Sequence, residues 1–114
     1  MEKPPENADL STSGVLVIDK PVGMTSHDVV QAVRLGTHIR RVGHTGTLDP
    51  RASGVMVLLL GPAVRLSEYI TASDKSYHAV LELGVNTDTY DAEGKVTRRR
   101  SAEHITEAMF DEEI

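Results

Sequence analysis

Two short apolar runs, residues 14–19 and 54–60, constrain the fold of this 114-residue chain more than any other feature. The first is followed by Pro21 and Gly23, and the second by Gly61-Pro62, so both end in residues typical of turns. Runs of this length that are rich in valine and leucine predict buried strands. The chain has only three tyrosines and one phenylalanine, so we expect a core of aliphatic side chains.

Three segments have the pattern of helices. The first is expected to start with Ser26 as its N-cap and to end at Gly36. The second begins at Pro62, which suits a first helical turn, and the third is expected to run from a capping Ser101 through Phe110. The first two helices are expected to bury an apolar face formed by Val29, Val30, Val33, Val64, Leu66 and Ile70.

Two further strands and two loops complete the prediction. Residues 77–83 show partial strand alternation, and residues 95–99 are expected to form the last strand. Residues 40–50 and 87–94 lack apolar periodicity and predict loops. Because strands and helices mix along the chain, the sequence predicts an α/β or α+β layer architecture.

The chain is long enough for one small domain or for a piece of a larger one. Residues 1–13 are polar, include two prolines and predict a flexible N-terminal tail without a signal peptide. The last predicted helix runs directly into the chain end, so residues 14–114 are interpreted as an interrupted domain. No apolar run approaches the length of a membrane span, and the lack of cysteines fits a reducing compartment, so a cytoplasmic location is expected.

Charge is distributed unevenly along the chain. The net charge is −5, which by itself argues weakly against a nucleic-acid partner. Between Lys20 and Arg51, however, five basic residues accompany only two acidic ones. A locally basic face is compatible with RNA binding, and a set of solvated surface side chains explains the same pattern equally well. The run at residues 98–100 is interpreted as a solvated strand end.

The segment from Gly43 to Pro50 carries the most chemical information. Gly43 and Gly46 permit unusual backbone conformations and close approach of a ligand. Asp49 precedes Pro50, which restricts its backbone, and the strand predicted after it would anchor the loop. These features suit a nucleophilic or basic carboxylate, although Asp-Pro beside glycines is also a common turn.

Four ordered motifs give this chain a family resemblance. The segment Gly-His-Thr-Gly-Thr-Leu-Asp-Pro at residues 43–50 resembles the active-site motif of pseudouridine synthases of the TruB family. Residues 19–26, Asp-Lys-Pro-Val-Gly-Met-Thr-Ser, resemble the other N-terminal motif of that family. Residues 74–77 and 87–94 also match in order and approximate spacing, so the resemblance covers roughly residues 14–110.

The resemblance implies conversion of uridine to pseudouridine in RNA, with uridine 55 in the T-loop of tRNA as the bacterial target. It implies that Asp49 is the catalytic carboxylate, that Tyr77 stacks on the target base and that His44 helps to hold the opened T-loop. Lys20 would steady the active-site loop, and Arg40 and Arg41 are candidates for phosphate contacts. The reaction needs no cofactor and no metal, and the five histidines form no His-x-x-x-His pair.

The family fold implied by this resemblance is α+β, a mixed, largely antiparallel sheet flanked by helices. It is about twice as long as this chain, so residues 14–114 would be the N-terminal portion of a catalytic domain. The later part would supply an arginine that pairs with Asp49. We therefore expect the 114 residues alone to be inactive or poorly folded, and the protein to act as a monomer on tRNA without a membrane partner.

Three alternative functions would use the same residues in another way. The first is a non-catalytic RNA-binding module of the same family. The second is a small-molecule hydrolase that uses Asp49 as a base with His44, but it would require a second acid or base or a metal at fixed spacing, and the sequence indicates neither. The third is a calcium site formed by Asp88, Asp91 and Glu93, which lacks the spacing of known calcium loops.

Overall fold

The computed structural model describes residues 12–114. They fall into two compact units, with the boundary between Lys75 and Ser76. Apart from Thr12 and Ser13, the expected tail at residues 1–13 lies outside the described residues. The first unit contains β1 (Gly14–Lys20), α1 (Ser26–Thr37), β2 (Val42–His44), β3 (Gly54–Leu60), a 3₁₀ helix (Gly61–Leu66) and α2 (Ser67–Thr71). The second contains β4 (Val85–Thr87), β5 (Val96–Arg99) and α3 (Glu107–Asp111).

The first unit is built on a three-stranded antiparallel sheet with β3 in the centre. Along β1 and β3 the register runs from Gly14 opposite Leu60 to Lys20 opposite Gly54. On the other side of β3, the short strand β2 places His44 opposite Leu58. The two strands predicted from the apolar runs are therefore confirmed, while residues 40–50, predicted as a loop, include the additional strand β2.

Helix α1 packs on one face of this sheet. Val29 and Val30 of α1 are buried in one cluster with Met56 and Leu58 of β3, as the helical periodicity predicted. Each fully buried aliphatic side chain of this kind contributes about 1.5–3 kcal/mol to folding. The expected core of aliphatic residues is thus confirmed for this unit, and Val33 lies partly buried at its edge.

The ends of α1 differ from the prediction. Thr25, not Ser26, is the N-cap: its hydroxyl accepts a hydrogen bond from the Asp28 N–H, and the Asp28 carboxylate accepts one from the Thr25 N–H. This reciprocal pair is a capping box. The helix continues one residue beyond Gly36, and His38 ends it in the left-handed conformation with φ 58°.

The segment after β3 forms a 3₁₀ helix followed by a short α-helix rather than a single helix. Pro62 lies in the first turn as predicted. Ala63 is buried, and Val64 and Ile70 are half-buried. Leu66 is 48% exposed, so its predicted inward orientation is wrong. The tighter 3₁₀ winding explains this error, because positions assigned with 3.6 residues per turn fall on a different face.

The second unit is built on a two-stranded antiparallel hairpin, β4–β5, with a bulge between Asn86 and Thr87. The predicted strand at residues 95–99 is confirmed as Val96–Arg99. The predicted strand at residues 77–83 is wrong, because this segment pairs with no strand within the described part of the chain and an unpaired strand is not stable.

The last helix is shorter than predicted. It begins at Glu107 with Thr106 as its N-cap, whereas the sequence predicted Ser101. A turn in which the Ile105 N–H donates to the Ala102 carbonyl precedes it. With helices and purely antiparallel strand pairs among residues 12–114, the fold class is α+β, as expected. Among these residues, no helix has the length and apolar character needed to cross a membrane.

Candidate active site

Asp49 lies in the irregular segment that connects β2 to β3. Its side chain is exposed, and its carboxylate forms no hydrogen bond or ion pair with any of residues 12–114. Its carbonyl oxygen accepts a hydrogen bond from the Ala52 N–H at 2.9 Å, which closes a turn over Pro50 and Arg51. The main chain is therefore held locally while both carboxylate oxygens remain available to a ligand.

The residue before Asp49 is held by a buried hydroxyl. Ser26 Oγ donates to the Leu48 carbonyl at 3.0 Å and accepts from the Leu48 N–H at 2.9 Å. Ser26 is only 4% exposed, so these hydrogen bonds are shielded from competing water. The Leu48 side chain also packs against the core that α1 forms with the sheet.

The residue after Asp49 is held by Lys20 and Gly23. The Pro50 carbonyl accepts from the Gly23 N–H at 2.7 Å and from Lys20 Nζ at 3.5 Å. Lys20 Nζ also donates to the carbonyls of Pro21 at 2.9 Å and Met24 at 2.7 Å. The side chain is fully buried, at 0% exposure, so three carbonyl dipoles replace the hydration of its ammonium group.

His44 is the exposed last residue of β2 and immediately precedes a second anchor. Thr45 is buried, and both its N–H and its hydroxyl donate to the Val57 carbonyl, each at 3.1 Å. Ladder pairing with Leu58 fixes the His44 backbone on the same strand, β3. His44 thus lies on a β-strand and its side chain is exposed to solvent. Asp49 instead lies in a loop whose main chain is held by hydrogen bonds on both sides.

The glycines around the site differ from the expectation in their backbone conformation. Gly43 and Gly46 do not adopt positive φ, so their main chain does not use the conformations that glycine alone permits. Positive φ occurs instead at Gly23, with φ 95°, and at Gly54, with φ 139°, where β3 begins. Gly23 therefore supports the site, because its N–H donates a hydrogen bond to the Pro50 carbonyl. Close approach of a ligand to Gly43 and Gly46 stays a prediction.

Arg40 and Arg41 precede β2 and are both exposed. Their main chain is fixed: Arg34 Nε donates to the Arg40 carbonyl at 2.9 Å, and the Gly61 N–H donates to the Arg41 carbonyl at 2.7 Å. Arg34 also reaches the Val42 carbonyl at 3.3 Å. A third arginine therefore orients the segment that presents the two guanidinium groups.

Tyr77 belongs to the second unit and is 71% exposed. It lies in the segment that was predicted as a strand and that has no regular secondary structure. The first unit contains the other predicted site residues, which are Lys20, Arg40, Arg41, His44 and Asp49.

The acidic loop between β4 and β5 uses its carboxylates for its own backbone. Asp88 Oδ1 accepts from the Lys95 N–H at 2.9 Å. Asp91 Oδ1 accepts from the Glu93 N–H at 2.9 Å and from the Thr89 hydroxyl at 2.5 Å. These contacts give the two aspartates a role in closing the loop, and the calcium alternative gains no support from them.

Sequence reasoning missed three supports of the site: Gly23, which it assigned only to a turn, Ser26 and Thr45. Ser26 was assigned to helix capping, and its partner Leu48 lies 22 residues away. Thr45 bonds to Val57, 12 residues away. None of these contacts leaves a local pattern in the sequence. The one available signal was that all three residues lie inside the motifs that carry the family resemblance.

Comparison with known proteins identifies the family of the chain. Residues 34–114 match the model described as the TruB family pseudouridylate synthase, N-terminal domain. A tRNA pseudouridine synthase B of Thermobifida fusca is 54% identical over 95 residues, which cover 83% of this chain and 32% of the relative. A tRNA pseudouridine synthase B of Symbiobacterium thermophilum is 47% identical over 106 residues, which cover 93% of this chain and 36% of the relative.

One solved structure is also similar, that of an H/ACA RNP bound to a substrate RNA containing 2'-deoxyuridine. The identity is 37%, the TM-score is 0.49, and the match covers 59% of this chain and 21% of the other. The chain spans about a third of the length of the curated relatives that it matches. Since the family model matches most of its residues, this chain belongs to the TruB family of pseudouridylate synthases.

Proposed function

We propose that this chain is the N-terminal third of an enzyme that isomerises uridine to pseudouridine in tRNA, with Asp49 as its catalytic carboxylate. The curated relatives that support the proposal are named tRNA pseudouridine synthase B. Uridine 55 in the T-loop is the proposed target, and the enzyme is proposed to work as a monomer in the cytoplasm without a cofactor.

One observation carries the assignment of Asp49. The main chain is fastened on both sides of it, by Ser26 at Leu48 and by Lys20 and Gly23 at Pro50. The carboxylate between these anchors is exposed and lacks a partner among the described residues. Preorganised catalysis requires a fixed main chain of this kind, and the carboxylate is not used to stabilise the described part of the fold, so it can take substrate and the arginine partner that the family resemblance implies.

The chemistry explains why a carboxylate and a loop-forming substrate fit together. The N1–C1′ bond breaks, a C5–C1′ bond forms, the C5 proton leaves to solvent and N1 gains a proton, so no redox partner is required. A stacked base hides its glycosidic bond from a protein side chain, and therefore the uridine must be flipped out. Bases in RNA loops are already splayed and flip at lower cost than paired ones.

Other residues have proposed roles that follow from their positions. His44 is rigidly mounted and exposed, which suits contact with the opened T-loop. Tyr77 is exposed, and its ring is proposed to stack on the flipped base. Arg40 and Arg41 are exposed on a fixed backbone and are proposed to contact phosphates. Lys20 is fully buried and is proposed to hold the Asp49 loop rather than to touch RNA.

The test uses the complete enzyme that contains this chain and a tRNA carrying tritium at C5 of its uridines. Isomerisation releases that tritium to water because C5 exchanges its hydrogen for the sugar carbon. Asp49→Asn should abolish release while RNA binding is retained. Asp111→Asn removes an exposed carboxylate of α3 and serves as the matched control, with release unchanged.

Two results would overturn the proposal. Tritium release by the Asp49→Asn variant would show that another group performs the reaction. RNA binding without release by the unsubstituted enzyme would instead support the alternative of a non-catalytic RNA-binding module. A tRNA with cytidine in place of uridine 55 tests the target site, and it should release no tritium above background.

A further inference from the structure

Ser26 has a role that its position at the start of a helix does not require. It is the first residue of α1, and side-chain hydroxyls at this end of a helix usually cap the helix itself. Here Thr25 performs that task through its capping box with Asp28. The Ser26 hydroxyl is therefore available for a partner elsewhere, and that partner is the backbone of Leu48.

The contact between Ser26 and Leu48 involves both main-chain polar groups of Leu48, its N–H and its carbonyl. The hydroxyl donates to the Leu48 carbonyl and accepts from the Leu48 N–H, at 3.0 Å and 2.9 Å. A single side-chain oxygen atom therefore makes the two hydrogen bonds that a neighbouring strand would otherwise make with the main chain of Leu48. It satisfies a backbone segment that lies outside the sheet ladder, and no buried side-chain polar atom of residues 12–114 lacks a partner.

The contact fixes the backbone immediately before the proposed catalytic carboxylate. The Leu48 carbonyl belongs to the peptide plane that includes the Asp49 nitrogen. Fixing this plane removes rotations that would swing the Asp49 side chain as a whole. On the other side, the Pro50 carbonyl is fixed by Lys20 and Gly23, so Ser26 completes a two-sided support.

We infer that Ser26 is a positioning residue for Asp49, acting through the Leu48 backbone. This inference rests on the proposed function of Asp49 and deepens it. Ser26 touches neither substrate nor the reacting atoms. Its loss should slow the chemical step with little effect on RNA binding, because the exposed groups proposed to bind RNA, such as Arg40, Arg41 and His44, keep their own anchors.

The test compares Ser26→Ala with Thr25→Ala in the complete enzyme. Both variants remove one hydroxyl at the start of α1, but Thr25→Ala removes the cap and leaves the contact with Leu48. Single-turnover tritium release should fall about tenfold to a hundredfold in Ser26→Ala, since small displacements of a catalytic group have effects of this size. RNA affinity should change by no more than about twofold, and Thr25→Ala should retain the unsubstituted rate per folded molecule.

Amide hydrogen exchange at Leu48 gives a readout that does not depend on activity. Exchange of this N–H should accelerate in Ser26→Ala and not in Thr25→Ala, in protein held well below its unfolding temperature. Ser26→Thr keeps the hydroxyl and should recover most of the lost rate. This rescue separates the loss of the hydroxyl from general damage to the helix.

The results that would overturn the positioning role of Ser26 differ from the result that would overturn the proposed function of Asp49. Equal rates in Ser26→Ala and Thr25→Ala, unchanged Leu48 exchange, or a rate loss that Ser26→Thr does not recover would overturn the positioning role. A loss confined to RNA affinity would overturn it as well. If Asp49→Asn keeps its activity, the proposed function fails instead, and the exchange measurement still reports whether Ser26 holds Leu48.

Discussion

Lys20 Nζ lies 3.5 Å from the carbonyl oxygen of Pro50, the residue that follows Asp49. The same ammonium group donates to the carbonyls of Pro21 and Met24, so it joins the turn after β1 to the loop before β3. Lys20 and Gly54 are opposite each other in the register of these two strands. One buried side chain therefore ties the two motifs that carry the family resemblance.

Replacing this ammonium should affect both stability and activity. Lys20→Met keeps most of the apolar stem but leaves the Pro21 and Met24 carbonyls without this donor, while the Pro50 carbonyl keeps the Gly23 N–H. The free energy of unfolding should therefore fall by about 2–4 kcal/mol. Turnover should fall more than RNA affinity, because the Pro50 side of the Asp49 loop loses one of its two donors. Urea unfolding and single-turnover kinetics check this, with the exposed Lys95→Met as control. An unchanged unfolding midpoint would contradict the structural role of Lys20.

The capping box at the start of α1 predicts a pH effect. Hydrogen bonds from the backbone and side chain of Thr25 hold the pKa of Asp28 below its ordinary value. Because the pKa is lowered in the folded state, the stabilisation is present above the unfolded pKa of about 3.9 and is lost as pH falls through the lowered value. Asp28→Asn should remove this dependence below about pH 4, measured by urea unfolding. Parallel pH profiles for the two proteins would contradict it.

Substitution by alanine should change stability in opposite directions at two glycines, Gly36 and Gly84. At Gly36, inside α1, an added Cβ meets no atom within 4 Å. Gly36→Ala should therefore raise the free energy of unfolding by about 0.5–1 kcal/mol through helix propensity.

At Gly84, φ is +85° and an added Cβ would collide with the Arg100 carbonyl oxygen. Gly84→Ala should destabilise the β4–β5 hairpin. Hydrogen exchange of the Arg100 N–H, which donates to the Gly84 carbonyl at 2.7 Å, reports on this locally.

The proposed phosphate contacts predict a change in salt dependence. Arg40→Ala and Arg41→Ala should each weaken binding of T-arm RNA and reduce the slope of log affinity against log salt by roughly 0.7–0.9. Arg99→Ala removes an exposed arginine of β5 and is the control, since residues 98–100 are interpreted as a solvated strand end. A reduced slope in Arg99→Ala alone would place the RNA on the hairpin instead.

The 114-residue chain by itself should release no tritium from labelled tRNA. The family resemblance assigns an arginine partner of Asp49 to a later segment, and among residues 12–114 the carboxylate has no partner. Joining the chain to the C-terminal two thirds of the Thermobifida fusca relative should restore release. Activity of the isolated chain above that of its Asp49→Asn variant would contradict the requirement for a later segment.

Local sequence patterns predicted the elements whose causes are themselves local. The apolar runs became β1 and β3, and the valine periodicity placed Val29 and Val30 in the core. Pro62 marked the start of a helix. Each of these patterns can be recognised from side chains a few residues apart, and β1 and β3 also supply each other with a pairing partner. The segment at residues 77–83 was mispredicted because strand formation depends on a partner, which propensity does not reveal.

The sequence by itself determined the family, the strands β1 and β3 and the buried face of α1, since motifs and periodicities are properties of neighbouring residues. The resemblance had pointed to Lys20 as a support of the Asp49 loop, but only the tertiary structure decided which contacts hold this loop. Ser26 and Leu48 are 22 residues apart, and Lys20 and Pro50 are 30 apart. Antiparallel pairing of β1 with β3 and packing of α1 on that sheet bring these groups together. Buried hydrogen bonds between distant residues form only after the chain has folded, so no local pattern specifies them.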